Sequence, residues 1–313
     1  NTNSSERMGF TNLTNEVKSQ KLSTSAELVN TIFFELKTKS LNPKLSGISS
    51  GFYDLDALTQ GFQKSDLIIV AGRPSMGKTS LSLNIASNVI KNSKLPVLFF
   101  SLEMSKEQIM YKLLSMETNI NQMRLKGGKL YQNDWIKLTK MIKIISKFPL
   151  FIDDTFNLSI QDIKSKIKTI LFEQNQLGLV IIDYIQLMQT TNFENENRVQ
   201  ELSKITRSLK KIAREFNIPI IGLSQLSRNV ENRVDKKPIL SDLRESGSIE
   251  QDADLVIMLY KNKVENSFAS QPIAKTSKSI ELIIAKHRNG PTGTVQLKFH
   301  EEQTKFFNKE TNF

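Results

Sequence analysis

Eight consecutive residues, Gly72, Arg73, Pro74, Ser75, Met76, Gly77, Lys78 and Thr79, satisfy G-x-x-x-x-G-K-[ST] at every fixed position. Most of the chemistry of such a segment comes from its backbone. Successive N–H groups of the loop and the N-terminus of the helix after it converge on a polyphosphate, where an anion meets free donors and a positive dipole end. In this pattern Lys78 reaches the β- and γ-phosphates and the Thr79 hydroxyl ligates Mg²⁺. The motif carries weight only between a strand and a helix, and both are present. Leu67–Ala71 is apolar and β-branched like a buried strand, and from Ser80 the residues Leu81, Leu83, Ile85, Ala86, Val89 and Ile90 recur with a helical period. The segment predicts a nucleotide site.

Three more polar residues close apolar runs. Val97–Phe100 leads into Ser101-Leu102-Glu103-Met104, Leu179–Ile182 is closed by Asp183, and Ile218–Leu223 ends in Ser224-Gln225. Ligands of parallel sheets sit beyond the carboxyl ends of the strands, so these residues are candidates. Asp183 has the place of a Walker B carboxylate, acting on Mg²⁺ directly or through water. Glu103 could orient, or take a proton from, a water attacking the γ-phosphate; it could equally be a helix-start glutamate favoured by the dipole. Gln225 could bond the γ-phosphate or be a satisfied turn residue. Spacing alone leaves the last two open.

The elements that must hold these residues alternate in type. Helical patterns run from Ser105, over Asp134–Ser146 (Trp135, Leu138, Met141, Ile142 and Ile145 on one side), over Ile160–Glu173, and over Arg198–Phe216. The last buries Leu202, Ile205, Leu209, Ile212 and Phe216, with Lys204, Lys210, Lys211 and Arg214 outside. Strands are expected at Leu150–Ile152, Leu255–Tyr260, Ile280–Ala285 and Thr294–Phe299. This alternation indicates one α/β domain with a largely parallel sheet covered on both faces and an antiparallel edge. Residues 51–62 lead into the first strand, Thr190–Asn197 read as a mobile loop, and Arg228–Gly247 is a charged span. Ahead of the domain, residues 1–22 suggest a disordered tail or remnant. Thr24 and Glu27 have capping-box spacing before a one-sided helix over 23–40 (Leu28, Val29, Ile32, Phe33, Leu36). That helix could pack on its own domain or dock on a neighbouring subunit.

Composition narrows the function classes. Among 313 residues there is no cysteine and only two histidines, His287 and His300, which excludes disulfides, a thiol nucleophile and cysteine- or histidine-rich metal sites. No apolar run approaches the roughly 20 residues that span a bilayer, so no membrane partner is expected. The net charge of +11, from 43 basic and 32 acidic residues, suits an anionic partner such as nucleic acid. Asn at the first position suggests a fragment or processed product, and the use of Asn, Lys, Ile and Ser an A/T-rich organelle or bacterial genome.

The segments GRPSMGKT, SLEMS, IIDYIQLM, GLSQLSR, SDLRESGSIEQDAD and AKHRNGPTGTVQLKF, in this order, resemble the C-terminal motor domain of DnaB-type replicative DNA helicases. The match runs from about Gly47 to Phe299, with a motor domain over 45–308. The resemblance implies a RecA-like P-loop ATPase fold preceded by a linker helix, and a homo-hexameric ring around single-stranded DNA. It also implies ATP with Mg²⁺ bound between neighbours, and translocation that opens forked DNA. By position, Lys78 and Thr79 are the phosphate and Mg²⁺ residues, Asp183 the Walker B carboxylate, Glu103 the catalytic glutamate and Gln225 the γ-phosphate sensor. Lys286 and Arg288 resemble a basic pair donated across the interface, Arg288 as the arginine finger. Arg244, Glu245 and Gly247 fall in the family's DNA-contacting loop, where backbone N–H groups hold phosphates. The family's N-terminal helical domain, which meets primase, is not recognisable; contacts with primase and a loader would run through parts missing here. A plastid stroma is favoured over a bacterial cytoplasm. A RecA-type recombinase and a regulatory RecA-fold ATPase are the alternatives; the first offers no match for SDLRESGSIEQDAD, and absence of stimulation by single-stranded DNA would favour the second.

Overall fold

A computed structural model describes residues 24–41, 45–188, 198–233, 235–261 and 277–309. The segments 1–22 and Thr190–Asn197 lie outside the described residues. The chain divides into two units, 1–44 and 45–313. In the first, helix α1 (Ser25–Leu41) is opened by a reciprocal cap. The Thr24 N–H donates to Glu27 Oε2 (3.1 Å) and the Glu27 N–H to Thr24 Oγ1 (3.3 Å). Leu28, Val29, Ile32, Phe33 and Leu36 are exposed.

The second unit is built on one sheet. Its strands are β1 (Leu67–Gly72), β2 (Val97–Ser101), β3 (Leu150–Asp153), β4 (Leu179–Asp183), β5 (Ile220–Gln225), β6 (Leu255–Lys261), β7 (Ser277–His287), β8 (Gly293–His300) and β9 (Lys305–Asn308). Among the described residues they lie in the order β3-β2-β4-β5-β1-β6-β7-β8-β9. From β3 to β6 neighbours are parallel; β7, β8 and β9 extend the sheet antiparallel. The helices are α2 (Tyr53–Thr59), α3 (Lys78–Asn88), α4 (Lys106–Thr118), α5 (Gln122–Lys126), α6 (Gln132–Ile145), α7 (Ile160–Gln174), α8 (Arg198–Phe216) and α9 (Gly247–Asp252).

The near-continuous apolar runs follow from burial on both faces. Along β1, Ile68 and Val70 join a core with Leu55 of α2, Leu81 and Ile85 of α3 and Ile109 of α4. Leu67, Ile69 and Ala71 point the other way, into a core with Ile163 and Ile167 of α7 and Leu202, Ile205, Leu209 and Ile212 of α8. The α/β architecture expected from the alternation is present, with the antiparallel edge.

Four local expectations change. The stretch 51–62 contains α2, held by buried Asp56, which accepts from Ser49 Oγ (2.6 Å) and the Ser50 N–H (2.8 Å). The charged span 228–247, for which no element was expected, holds 3-10 segments at Arg228–Asn232 and Leu240–Ser246 and runs into α9. On α6, Leu138 and Ile145 are buried while Trp135 and Ile142 are exposed, so only part of the apolar side is used. Lys210 is not an outward lysine. It folds back to the Ser65 carbonyl (2.8 Å) and to Asp254, because that buried carboxylate offers more than water does.

Candidate nucleotide site

β1 stops at Gly72 and α3 begins at Lys78, so residues 73–77 form the loop. Gly77 has φ +89°, a left-handed conformation costly for other residues. A Cβ there would also come within 3.2 Å of the Phe306 ring and 3.3 Å of Phe299. Those two rings stack at 4.3 Å between centroids, so the antiparallel strands β8 and β9 support the phosphate loop from below. Lys78 Nζ donates to the carbonyls of Gly72 (2.9 Å) and Arg73 (3.3 Å), and burial holds its pKa below the ordinary lysine value. Thr79 Oγ1 donates to Asp183 Oδ2 at 2.7 Å. Asp183 is buried at the end of β4; burial pushes its carboxyl from 3.8 up to about 6, nearby Glu103 adds to the rise, and the Thr79 bond and Lys78 oppose it.

The parallel order β2-β4-β5-β1 brings the strand ends side by side: Ser101 pairs with Asp183 and Gly72 with Gln225. Beyond them lies a cleft of about 270 Å³ lined by Gly77, Lys78, Thr79, Glu103, Asp183 and Gln225, among others. Glu103 stands two residues past the end of β2, in the turn before α4. Ser101 Oγ braces that turn on the Met104 carbonyl (2.6 Å), and Ser105 caps the helix through Gln108.

Spacing did not point to several further residues. Lys112 of α4 lines the same cleft, its pKa lowered first by burial and next by Lys126. Gln186 ties two strand ends together: its Nε2 donates to Ser224 Oγ (2.8 Å) and to the Gln225 carbonyl (3.2 Å). Arg73, already part of the phosphate-loop motif, anchors the loop to the chain after β5, donating to the Leu226 carbonyl (2.9 Å) and to Glu231 Oε1 (2.9 Å). Gln186 lies within IIDYIQLM, which was the one available signal for it.

Lys286 and Arg288 are not in this cleft. The Arg288 N–H donates to the Asp254 carbonyl (2.8 Å), its Nη1 to Asp254 Oδ1 (3.3 Å) and its Nη2 to the Gln251 carbonyl. Lys286 Nζ donates to the carbonyls of Glu250 (2.5 Å) and Gln251 (3.3 Å), and its pKa is lowered by burial and then by Arg288. Asp254 in turn accepts the N–H of Leu67, the first residue of β1. Arg288 is therefore separated from Gly72 by the length of β1, about 17 Å at ~3.3 Å per residue, and the Lys286 ammonium turns toward the same end through the α9 carbonyls. Arg244 and Glu245 lie in the 3-10 segment Leu240–Ser246, and Gly247 opens α9. Glu250 and Gln251, whose carbonyls receive the two cations, are in the same short helix.

A metal can be tested against these donors. Among the described residues no group of three or more His, Cys, Asp or Glu could hold an ion. Thr79 and Asp183 offer two hard oxygens instead. This fits Mg²⁺, which takes one or two protein oxygens and completes its shell with phosphates and water.

The parallel sheet with a phosphate loop at the end of its central strand, facing a buried aspartate on another, defines a RecA-like P-loop α/β domain. The DnaB-like helicase C terminal domain family matches residues 47–308, and the chain belongs to that family. It is 65% identical over 295 residues to a probable replicative DNA helicase of Trieres chinensis, covering 94% of this chain and 64% of that protein. It is 50% identical over 270 residues to the replicative DNA helicase DnaB of Geobacillus stearothermophilus, covering 86% and 58%. The chain thus spans about three fifths of the length of these relatives. Two solved structures are similar at 38% identity over 93% of this chain. One is an ATPase domain, covered completely (TM-score 0.83). The other is a DnaB-like replicative helicase, described with its interactions with primase and covered over 68% (TM-score 0.80).

Proposed function

We propose that the chain is the motor of a replicative DNA helicase that hydrolyses ATP at sites shared by neighbouring subunits of a six-membered ring. Translocation along single-stranded DNA then opens the duplex at a fork. The observation that carries this reading is the position of the candidate groups in a chain of this family. The phosphate loop, Asp183, Glu103 and Gln225 share one end of the sheet, while Lys286 and Arg288 stand at the other, out of reach of their own cleft.

In this reading the loop N–H groups and Lys78 bind the phosphates of ATP, and Thr79 and Asp183 hold Mg²⁺. The bound cation would neutralise charge building up between the β- and γ-phosphates. It would also favour the ionised form of Asp183, whose raised pKa reflects burial. Glu103 orients the attacking water and accepts its proton, and Gln225 bonds the γ-phosphate. Arg288 and Lys286 of one subunit face the γ-phosphate held by the next. The Arg244–Gly247 segment, including Glu245, holds DNA phosphates through backbone N–H groups and the Arg244 charge. The algal and cyanobacterial relatives, the latter from Nostoc at 53% identity, support a plastid stroma, with a bacterial cytoplasm as the alternative. Primase and a loader would be met through regions beyond this motor.

The test is unwinding of a forked duplex, with negative-stain images in an ATP analogue and oligo-dT. Rings and ATP-dependent unwinding are expected. Filaments with strand exchange would replace this reading by a recombinase, and ATPase indifferent to single-stranded DNA would replace it by a regulatory ATPase. Binding to single strands should fall steeply with salt and depend little on sequence. Arg244→Ala should weaken all sequences alike and reduce the log–log salt slope by about 0.7.

A further inference from the structure

Outside the cleft, the densest group of charges lies at the amino ends of β1 and β6. Asp254 is at its centre, 5% exposed, immediately before β6. Its Oδ2 accepts the Leu67 N–H (2.8 Å) and the Lys210 ammonium, and its Oδ1 accepts Arg288 Nη1 (3.3 Å). Its backbone is engaged as well: the N–H donates to the Leu67 carbonyl (2.9 Å), and the carbonyl accepts the Arg288 N–H (2.8 Å). Asp66 is 3.8 Å from Lys210.

A buried carboxylate needs a counter-charge, and Lys210, itself mostly buried, supplies one. Lys210 is shared with Asp66, so Arg288 completes the balance of two carboxylates and two cations while remaining the more exposed of the cations. Its guanidinium is about half exposed, held at Nη1 by Asp254 and at Nη2 by the Gln251 carbonyl. The root and the head of this side chain are thus both tied to one residue, which is itself bonded twice to the first residue of the strand that ends in the phosphate loop. We infer that Asp254 is a positioning residue for Arg288, setting the direction in which the guanidinium leaves this subunit, with Lys210 as the fixed counter-ion. The inference rests on the reading of Arg288 as a cation that acts on the neighbour's site. Asp254 touches no reacting atom and acts through Arg288.

A purely structural role would be different: Asp254 would pin β1, and its loss would damage the subunit's own phosphate loop. Mixing experiments on the full chain with ATP and oligo-dT separate the two. Asp254→Asn should lower kcat on the order of 10- to 100-fold, as for a displaced catalytic group, with KM little changed. Mixed with Lys78→Ala, it should recover ATPase above either variant alone, because about one random interface in four then pairs an intact loop with an intact cation side. Mixed with Arg288→Ala, it should recover nothing. The opposite pattern, rescue by Arg288→Ala and not by Lys78→Ala, overturns the proposal, as does a wild-type kcat for Asp254→Asn. If Arg288→Ala itself hydrolyses ATP normally, the underlying reading of Arg288 fails instead. Should Asp254→Asn not fold, Asp254→Asn/Lys210→Met leaves no orphaned ammonium, and the same pattern of rescue decides.

Discussion

At the carboxyl end of β1 the charged groups that line the cleft face open space; at its amino end they face one another. Lys78, Glu103 and Asp183 border a cleft, and Lys78 bonds the carbonyls of Gly72 and Arg73. Lys210, Asp66, Asp254 and Arg288 form a closed set of ion pairs, with Lys286 and Arg288 also laid on the carbonyls that end α9. The first arrangement suits a ligand of several negative charges, since Lys78 is held there by neutral carbonyls rather than by an acid. The second keeps cations in place without a ligand and leaves Arg288 about half exposed. In the proposed function, one chemical site is divided between these two ends of the domain.

The largest effects test that division. Lys78→Ala should lose ATP binding and hydrolysis together. Arg288→Ala should keep ATP binding and lose about 10³-fold or more of the DNA-stimulated rate. If the two ends belong to one composite site, mixing these variants should restore ATPase above either alone. Unwinding need not return, because isolated repaired sites are separated by dead ones. With subunit exchange verified, failure at every mixing ratio would remove Arg288 from the neighbour's site.

A smaller loss is expected within the cleft. Glu103→Gln keeps the shape of the side chain but cannot accept a proton. ATP binding should persist while hydrolysis falls by roughly 10²-fold. Hydrolysis at the wild-type rate would make Glu103 a helix-start residue after all.

The two ends were not equally legible in the sequence. The phosphate loop is local, eight residues in a row between a strand and a helix, and the polar residues closing apolar runs follow from the rule that parallel strands present their carboxyl ends together. The amino end is assembled from distant parts: Leu67 and Asp254 are 187 positions apart, and Lys210 and Asp254 are 44 apart. Nothing in the spacing of Asp254 sets it apart from the other acids of SDLRESGSIEQDAD. Lys210 sits at the edge of the polar side of α8, where helical periodicity alone turns it outward. Lys112 was hidden in the same way on α4, and β9 is too short to show a period. The resemblance supplied Lys286 and Arg288, but only the coordinates give their distance from the loop.

The fold should register the same contrast through its buried acids. Asp183 has its pKa raised to about 6 from 3.8, chiefly by burial. Below about pH 4 it is protonated folded or unfolded and contributes no difference. As pH rises through 6 the unfolded chain has released a proton that the folded chain is losing at a cost, so stability falls across this window. At pH 7.5 in EDTA the cost is roughly 3 kcal/mol. Asp183→Asn should therefore melt on the order of 5–10 °C higher than wild type there while being inactive, and the gap should narrow below pH 6. An equal or lower melting temperature at pH 7.5 would contradict the burial argument.

The smallest effect belongs to Asp66, the corresponding acid at the amino end. Its pKa is also raised to about 6, first by burial and then by the charge of Asp254, against the pull of Lys210 and Arg288. The sign is the same as for Asp183: stability from this group is lost as pH rises from about 4 through 6. Because the Asp66 side chain keeps some contact with water, 14% exposed where Asp183 is fully buried, Asp66→Asn should gain less than Asp183→Asn, about 1–2 kcal/mol or about 2–4 °C at pH 7.5. The ends then separate on adding Mg²⁺ with an ATP analogue. Ligand binding stabilises the wild type through Asp183 and should close or invert the advantage of Asp183→Asn. It should leave the advantage of Asp66→Asn nearly unchanged, since that carboxyl lies a strand's length from the loop. If Mg²⁺ and nucleotide erase both advantages equally in single subunits, the separation of the two ends is wrong. If they erase the Asp66 advantage only when subunits assemble, the amino end is being read by the neighbour's nucleotide, as a shared site requires.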